Sequence, residues 1–107
     1  MKHIKYFESE INIKKYFIGP YYKDLAIFEV LEEVTDYISG STKFDKLLKV
    51  RMIFIYKIEY KNIIESHDKD PYIKSIKSVN NSIFKSNDIQ DCFNIIPYIK
   101  DTNKYNL

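Results

Sequence analysis

Cysteine occurs once, as Cys92, arginine once, as Arg51, glycine only twice and tryptophan not at all. A lone cysteine cannot close an internal disulfide, which excludes a secreted disulfide scaffold, and Cys92 is read as a small buried hydrophobe in preference to a reactive thiol. Gly19 and Gly40 are too few for a P-loop or a dinucleotide fingerprint, whose backbone amides need several glycines to approach a phosphate. Nucleotide hydrolysis on those folds is ruled out. His3, His67 and Cys92 stand far apart, without the ligand spacing of a structural zinc site, and neither a metal nor a cofactor is expected. The longest apolar stretch, Val50 to Tyr60, is interrupted by Arg51, Lys57 and Glu59 and is far too short to span a bilayer. Residues 1–10 reach Glu8 and Glu10 before any signal-peptide core, so the expected location is cytoplasmic, in a microbe or an infected host cell.

What is present fits one folding unit. The 107 residues are 45% hydrophobic and 30% charged, a globular balance for a single domain over residues 1–107. Isoleucine and lysine dominate, with 18 and 16 copies against one alanine, the bias that AT-rich codons produce. That bias weakens isoleucine and tyrosine as evidence for strands.

Helical spacing is the first pattern to emerge. Ile27, Val30, Leu31, Val34, Tyr37 and Ile38 recur about every three and a half positions, with Glu29, Glu32, Glu33 and Asp36 opposite, which predicts an amphipathic helix over Tyr22–Ser39 between the breaks at Gly19-Pro20 and Gly40. A second helix is expected from Asp70-Pro71 to Lys85, with Tyr72, Ile73, Ile76, Val79, Ile83 and Phe84 on one face. A third, shorter one follows Asn87, with Gln90 three residues on and Ile89, Cys92, Phe93 and Ile96 inward, and ends at Pro97. The tail 101–107 is polar and expected to fray.

The segment Phe44–Glu65 decides the fold class. As a helix capped by Thr42 it aligns Phe44, Leu47, Leu48, Met52, Ile55 and Ile58; as a strand it alternates Val50, Met52, Phe54, Tyr56, Ile58 and Tyr60. Either way it is central, because apolar residues surround its axis. The absence of Asn-Gly or Asp-Gly hairpin signals favours the helix. The expected fold is therefore a mostly α, single-domain bundle of four or five helices, the alternative being an α+β fold with a central strand around residues 48–60. Residues 2–18 would supply a partner strand, on the alternation of Ile11 and Ile13, or a first helix starting near Ser9.

No catalytic constellation is legible. Glu65-Ser66-His67-Asp68-Lys69-Asp70 gathers a base, a hydroxyl and carboxylates, but reads as a solvated connection, since catalytic groups usually converge from different elements. Glu32-Glu33 and the pair Asp88 and Asp91 read as exposed helix faces and termini, Asp88 sitting where a helix dipole welcomes negative charge. Charge is unevenly spread: the stretch Tyr22–Ser39 carries a net −4, and the stretch Lys43–Lys61 a net +4. Their mutual attraction would account for both. The alternative is nucleic-acid contact by the basic stretch, with Tyr56 and Tyr60 stacking on bases, although one arginine leaves little capacity for base readout.

Two local resemblances are visible. Tyr22-Lys23-Asp24-Leu25 through Leu31-Glu32-Glu33-Val34, with the apolar Leu47–Tyr56, resembles the small helical-bundle immunity proteins of bacteriocin producers over about a third of the chain, without a diagnostic motif. Lys49-Val50-Arg51 to Tyr56-Lys57-Ile58, with Ile63-Ile64 and His67, is similar to the C-terminal strands of RelE-like ribonuclease toxins; that similarity requires the strand, and 40 further residues follow where such toxins end.

The leading expectation is a non-catalytic binding protein of inhibitor, immunity or defence-antagonist type, from an AT-rich mobile element or virus. It would occlude a basic protein partner with Tyr21, Tyr22, Glu29, Glu33 and Asp36. The alternative is a nucleic-acid-binding regulator using Lys46, Lys49, Arg51, Lys57 and Lys61, and a small ribonuclease using His67 comes third. Oligomeric state is not legible.

Overall fold

The computed structural model describes residues 13–34 and 47–99. They form an antiparallel sheet with two short helices, so the expected helical bundle is wrong. The strands are β1 (Tyr16–Tyr21), β2 (Asp24–Val34), β3 (Leu47–Lys57), β4 (Asn62–Glu65), β5 (Tyr72–Ser75) and β6 (Phe84–Ser86). The helices are α1 (Ile76–Asn80) and α2 (Ile89–Ile95), the latter running into a 3₁₀ turn, Ile96–Tyr98. The sheet order is β4-β3-β2-β1-β6, and β5 lies on the same side of β3 as β4: β4 pairs with Phe54–Lys57 and β5 with Leu47–Val50.

The alternative of a central strand around 48–60 is what the segment adopts, as β3. Its neighbour, expected as the helix Tyr22–Ser39, is the hairpin partner β2 as far as Val34. Both faces of the sheet are covered, which explains the misreading. Ala26, Phe28, Leu48, Val50 and Met52 pack on one face under Ile76 and Val79 of α1. Leu25, Ile27, Ile53 and Tyr56 pack on the other under Cys92, Ile96 and Ile99. A strand buried on both faces presents an apolar run instead of an alternation, as Leu25-Ala26-Ile27-Phe28 does.

Two bulges complete the disguise. Ile27 pairs with Phe54 but Phe28 with Met52, leaving Ile53 as the extra residue in β3; Val30 pairs with Val50 but Glu32 with Lys49, leaving Leu31 as the extra residue in β2. Each extra residue shifts the two-residue phase by one and leaves a spacing that mimics a helical turn.

Further corrections follow from the same pairing. Gly19-Pro20 does not break the chain but lies inside β1, where β6 pairs only with Tyr16–Ile18. The proline thus sits where its missing N–H leaves no ladder bond unmade on that edge. Asp70-Pro71 does not start a helix to Lys85: that stretch divides into β5, α1 and β6, with Ser75 as the cap whose hydroxyl accepts from the Ser78 amide. The third helix is found over Ile89–Ile95, capped by Asp88 rather than Asn87, with the Asp88 carboxylate accepting from the Gln90 amide. Pro97 lies within the 3₁₀ turn that follows. Gly40, Thr42 and the tail 101–107 lie outside the described residues.

Candidate functional site

The opposition of acidic and basic stretches is real, but it is built from strands. Arg51 Nε donates to Glu29 Oε1 at 2.9 Å across the β2–β3 ladder, and Lys49 meets Glu32 at 3.2 Å. Partly exposed pairs of this kind contribute at most about 1 kcal/mol each. Their larger consequence is that Lys49 and Arg51 face carboxylates, and Glu29 is no longer available to a partner. Glu33 is exposed near the end of β2. Asp36 and Lys46 lie outside the described residues. Tyr21, Tyr22, Glu29 and Glu33 of the expected acidic surface therefore do not lie on one helix: Tyr21 ends β1, Tyr22 is in the loop that follows, and Glu29 and Glu33 belong to β2.

A third acidic residue organises one end of the sheet. Asp24 opens β2 and is 8% exposed; its Oδ1 accepts from the Ile58 amide at 3.2 Å and its Oδ2 meets Lys57 Nζ at 3.4 Å. This clasp ties the two-residue loop Tyr22–Lys23, which joins β1 to β2, to the four-residue loop 58–61, which joins β3 to β4. Burying an acceptor that bonds both a backbone amide and an ammonium makes the arrangement costly to disturb.

Each loop turns through one residue in the left-handed region, Tyr22 at φ 54 and Lys61 at φ 55. Non-glycine residues enter that region at a cost of about 1–2 kcal/mol. Local pairing offsets the cost: the Lys61 amide bonds the Lys57 carbonyl at 2.7 Å, and the Tyr22 ring meets the Tyr21 ring edge-on at 4.7 Å. The result is a pair of adjacent tips bearing Tyr22 (89% exposed), Lys23, Tyr60 (69% exposed) and Lys61. Tyr56, also expected to stack on bases, is instead buried in the α2-side core.

The polar cluster 65–70 is the end of β4 and the loop that leads to β5. Ser66 Oγ donates to the Asp68 carbonyl at 2.9 Å, not to His67, and the Asp70 amide bonds Asp68 Oδ1 at 3.1 Å. Lys69 meets Glu65 at 2.7 Å, a hydrogen bond and charge that hold the Glu65 carboxyl below its ordinary pKa. Cys92 is fully buried, and burial, with Asp91 and Asp88 nearby, pushes its thiol up to about 11. It is a hydrophobe without thiolate character at neutral pH.

Among the described residues, two shallow cavities lie beside the sheet. One, of about 190 Å³, lies among Lys14, Lys15, Val30, Leu31, Glu33 and Asn87, where the Lys15 amide donates to Asn87 Oδ1 at 3.0 Å. The other, of about 180 Å³, is lined by Tyr21, Phe28, Met52, Asp68, Asp70 and Tyr72. Both fall below the roughly 300 Å³ at which drug-sized ligand pockets begin. Sequence reasoning named Tyr21 but missed its partners, because only the pairing of β5 with β3 carries Tyr72, Asp68 and Asp70 to it; no spacing in the sequence encodes that convergence.

No protein-family model, curated protein or solved structure matches this chain. Among the described residues no helix is long and apolar enough to cross a membrane.

Proposed function

We propose that this domain binds single-stranded nucleic acid, with the paired hairpin tips as its contact surface. The observation that carries the reading is that two neighbouring loops, joined by the bond from the Ile58 amide to Asp24, each bear an exposed tyrosine followed by an exposed lysine, Tyr22-Lys23 and Tyr60-Lys61. Exposed rings stack on unpaired bases whatever their identity, and the ammonium groups beside them meet the phosphates. The site departs from the one expected of the basic stretch 43–61. Lys49, Arg51 and Lys57 are held by Glu32, Glu29 and Asp24, so among the described residues of that set Lys61 is the one that serves. The sole guanidinium is engaged by Glu29 within the β2–β3 ladder and takes no part in the tips, so the binding rests on stacking and charge and is indifferent to sequence. A cytoplasmic setting, where such strands are met, belongs to the same proposal.

Fluorescence anisotropy with labelled oligothymidine tests this. Non-specific binding of this type has dissociation constants of about 10⁻⁴–10⁻⁶ M, and two lysines contacting a single strand give a log–log salt slope of about −1.4. Tyr60→Ala should weaken binding by about 1–3 kcal/mol, the worth of one stacked base. Absence of binding at low salt with about 10⁻⁴ M protein refutes the reading; a slope near −5 would mean that another surface is used.

A further inference from the structure

The cavity beside β5 has a composition unlike the rest of the surface. Its lining comes from every strand across that half of the sheet: Tyr21 ends β1, Phe28 lies in β2, Met52 in β3, and Tyr72 begins β5. Phe28 and Met52 are buried members of the core on the α1 side, so the base of the cavity is the sheet face itself. It stays open because Ile76 and Val79 of the five-residue α1 are the helical residues packed into that core, whereas the lining contains no residue of α1. Tyr21 packs against the same core, and Tyr72, 43% exposed, lines the cavity with its ring partly in solvent, the part that is buried raising its phenol pKa. Asp68 and Asp70, on the loop from β4 to β5, bring two carboxylates to this aromatic wall, and neither forms an ion pair among the described residues.

Two phenol rings, a phenyl ring and a thioether with two carboxylates alongside form an environment selective for one kind of group. An anion would be repelled by the carboxylates, and a neutral apolar ligand would use the rings and the thioether alone while Asp68 and Asp70 stay in solvent. An alkylammonium group satisfies both parts, its charge meeting the carboxylates and ring faces while its methylenes or methyls lie on Phe28 and Met52. The volume of about 180 Å³ is of the order of the 150 Å³ that holds a benzene-sized molecule, which suits one side chain or one small amine and nothing larger. We infer that this cavity is a binding site for an alkylammonium group, supplied either by a lysine side chain of a partner or by a free amine. The inference stands apart from the nucleic-acid reading, since it uses neither Tyr60 nor Lys61.

The Met52 methyl, at the base of the cavity, is the reporter for the test. Nα-acetyl-lysine amide, its trimethylated form, tetramethylammonium and putrescine are titrated into the intact domain while the Met52 methyl and the Tyr21 and Tyr72 ring signals are followed by NMR, with acetyl-norleucine amide as the uncharged control. The expected result is saturable shifts at these residues with the amines and none with norleucine, weakened by added salt. Asp68→Asn with Asp70→Asn, on an exposed loop where asparagine preserves the turn, should weaken amine binding about tenfold. Tyr72→Ala should weaken it about threefold or more, and Tyr60→Ala not at all. Tighter binding of the lysine amides identifies a partner's side chain as the source, and tighter binding of the small amines identifies a free ligand; either supports the site. Absence of saturable shifts, equal shifts with norleucine, or unchanged affinity in the double asparagine variant with its fold intact overturns it.

Discussion

On one face of the sheet, α2 and the 3₁₀ turn bring Cys92 and Ile96, with Ile99 just beyond, down over Ile18, Leu25, Ile27 and Tyr56; on the other, the five residues of α1 contribute Ile76 and Val79 over Phe17, Phe28, Val50 and Met52. Among the described residues, the first cover adds the 3₁₀ turn to its helix, whereas α1 contributes nothing to the Tyr21–Tyr72 end of the second face, where the cavity lies. Cover length thus separates a face that serves stability from one that keeps a recess for a ligand.

Truncation should measure that difference. Ile96→Ala removes a fully buried side chain from the closed face and should cost about 2–5 kcal/mol in urea unfolding. Val79→Ala, also fully buried, should cost less per carbon removed, because the partly covered face can collapse into its recess. Equal costs per carbon would erase the distinction between the faces.

The clasp at the sheet end comes next in size. Asp24→Asn keeps one acceptor for the Ile58 amide but removes the charge opposite Lys57, and should destabilise by about 1–3 kcal/mol. It should also reduce oligonucleotide binding while leaving amine binding at the Asp68–Asp70 cavity intact. Loss of both together would mean that the tips and the cavity move as one unit.

The smallest effect concerns pH. The Cys92 thiol ionises near 11 in the folded chain against an ordinary value of 9.0, so between these values the unfolded chain has released a proton that the folded chain retains. Stability supplied by this group is complete below about pH 9 and declines as pH rises toward 11. Unfolding free energies at pH 8 and pH 10 should therefore fall further in the wild type than in Cys92→Ala. Parallel losses in the two proteins would show that the closed face admits the thiolate.

Part of this was legible from the residues. The burial of Cys92, a short helix starting beside Asp88 and the attraction between the stretches around Glu29 and Arg51 each rest on short-range chemistry, which side-chain type and spacing encode directly, although the cap was read as Asn87. The strands were not legible, because β2 and β3 are apolar on both faces and carry the Leu31 and Ile53 bulges, which erase the alternation by which strands are recognised. Nor did the hairpins announce themselves: their turns use Tyr22 and Lys61 at positive φ, where glycine or asparagine is the usual signal.

The sequence by itself determined a globular composition, a central hydrophobic segment within residues 44–65, an inert cysteine and a charge opposition resolved internally at Glu29 and Arg51. Tertiary structure alone decided that those elements are strands, that the loops bearing Tyr22 and Tyr60 are joined through Asp24, and that Tyr21 and Tyr72 line one cavity with Asp68 and Asp70. The reason is physical: helical and extended backbones can each bury these apolar residues, and the choice falls to cross-strand hydrogen bonds and to cover on both faces, which exist only between segments distant in the chain.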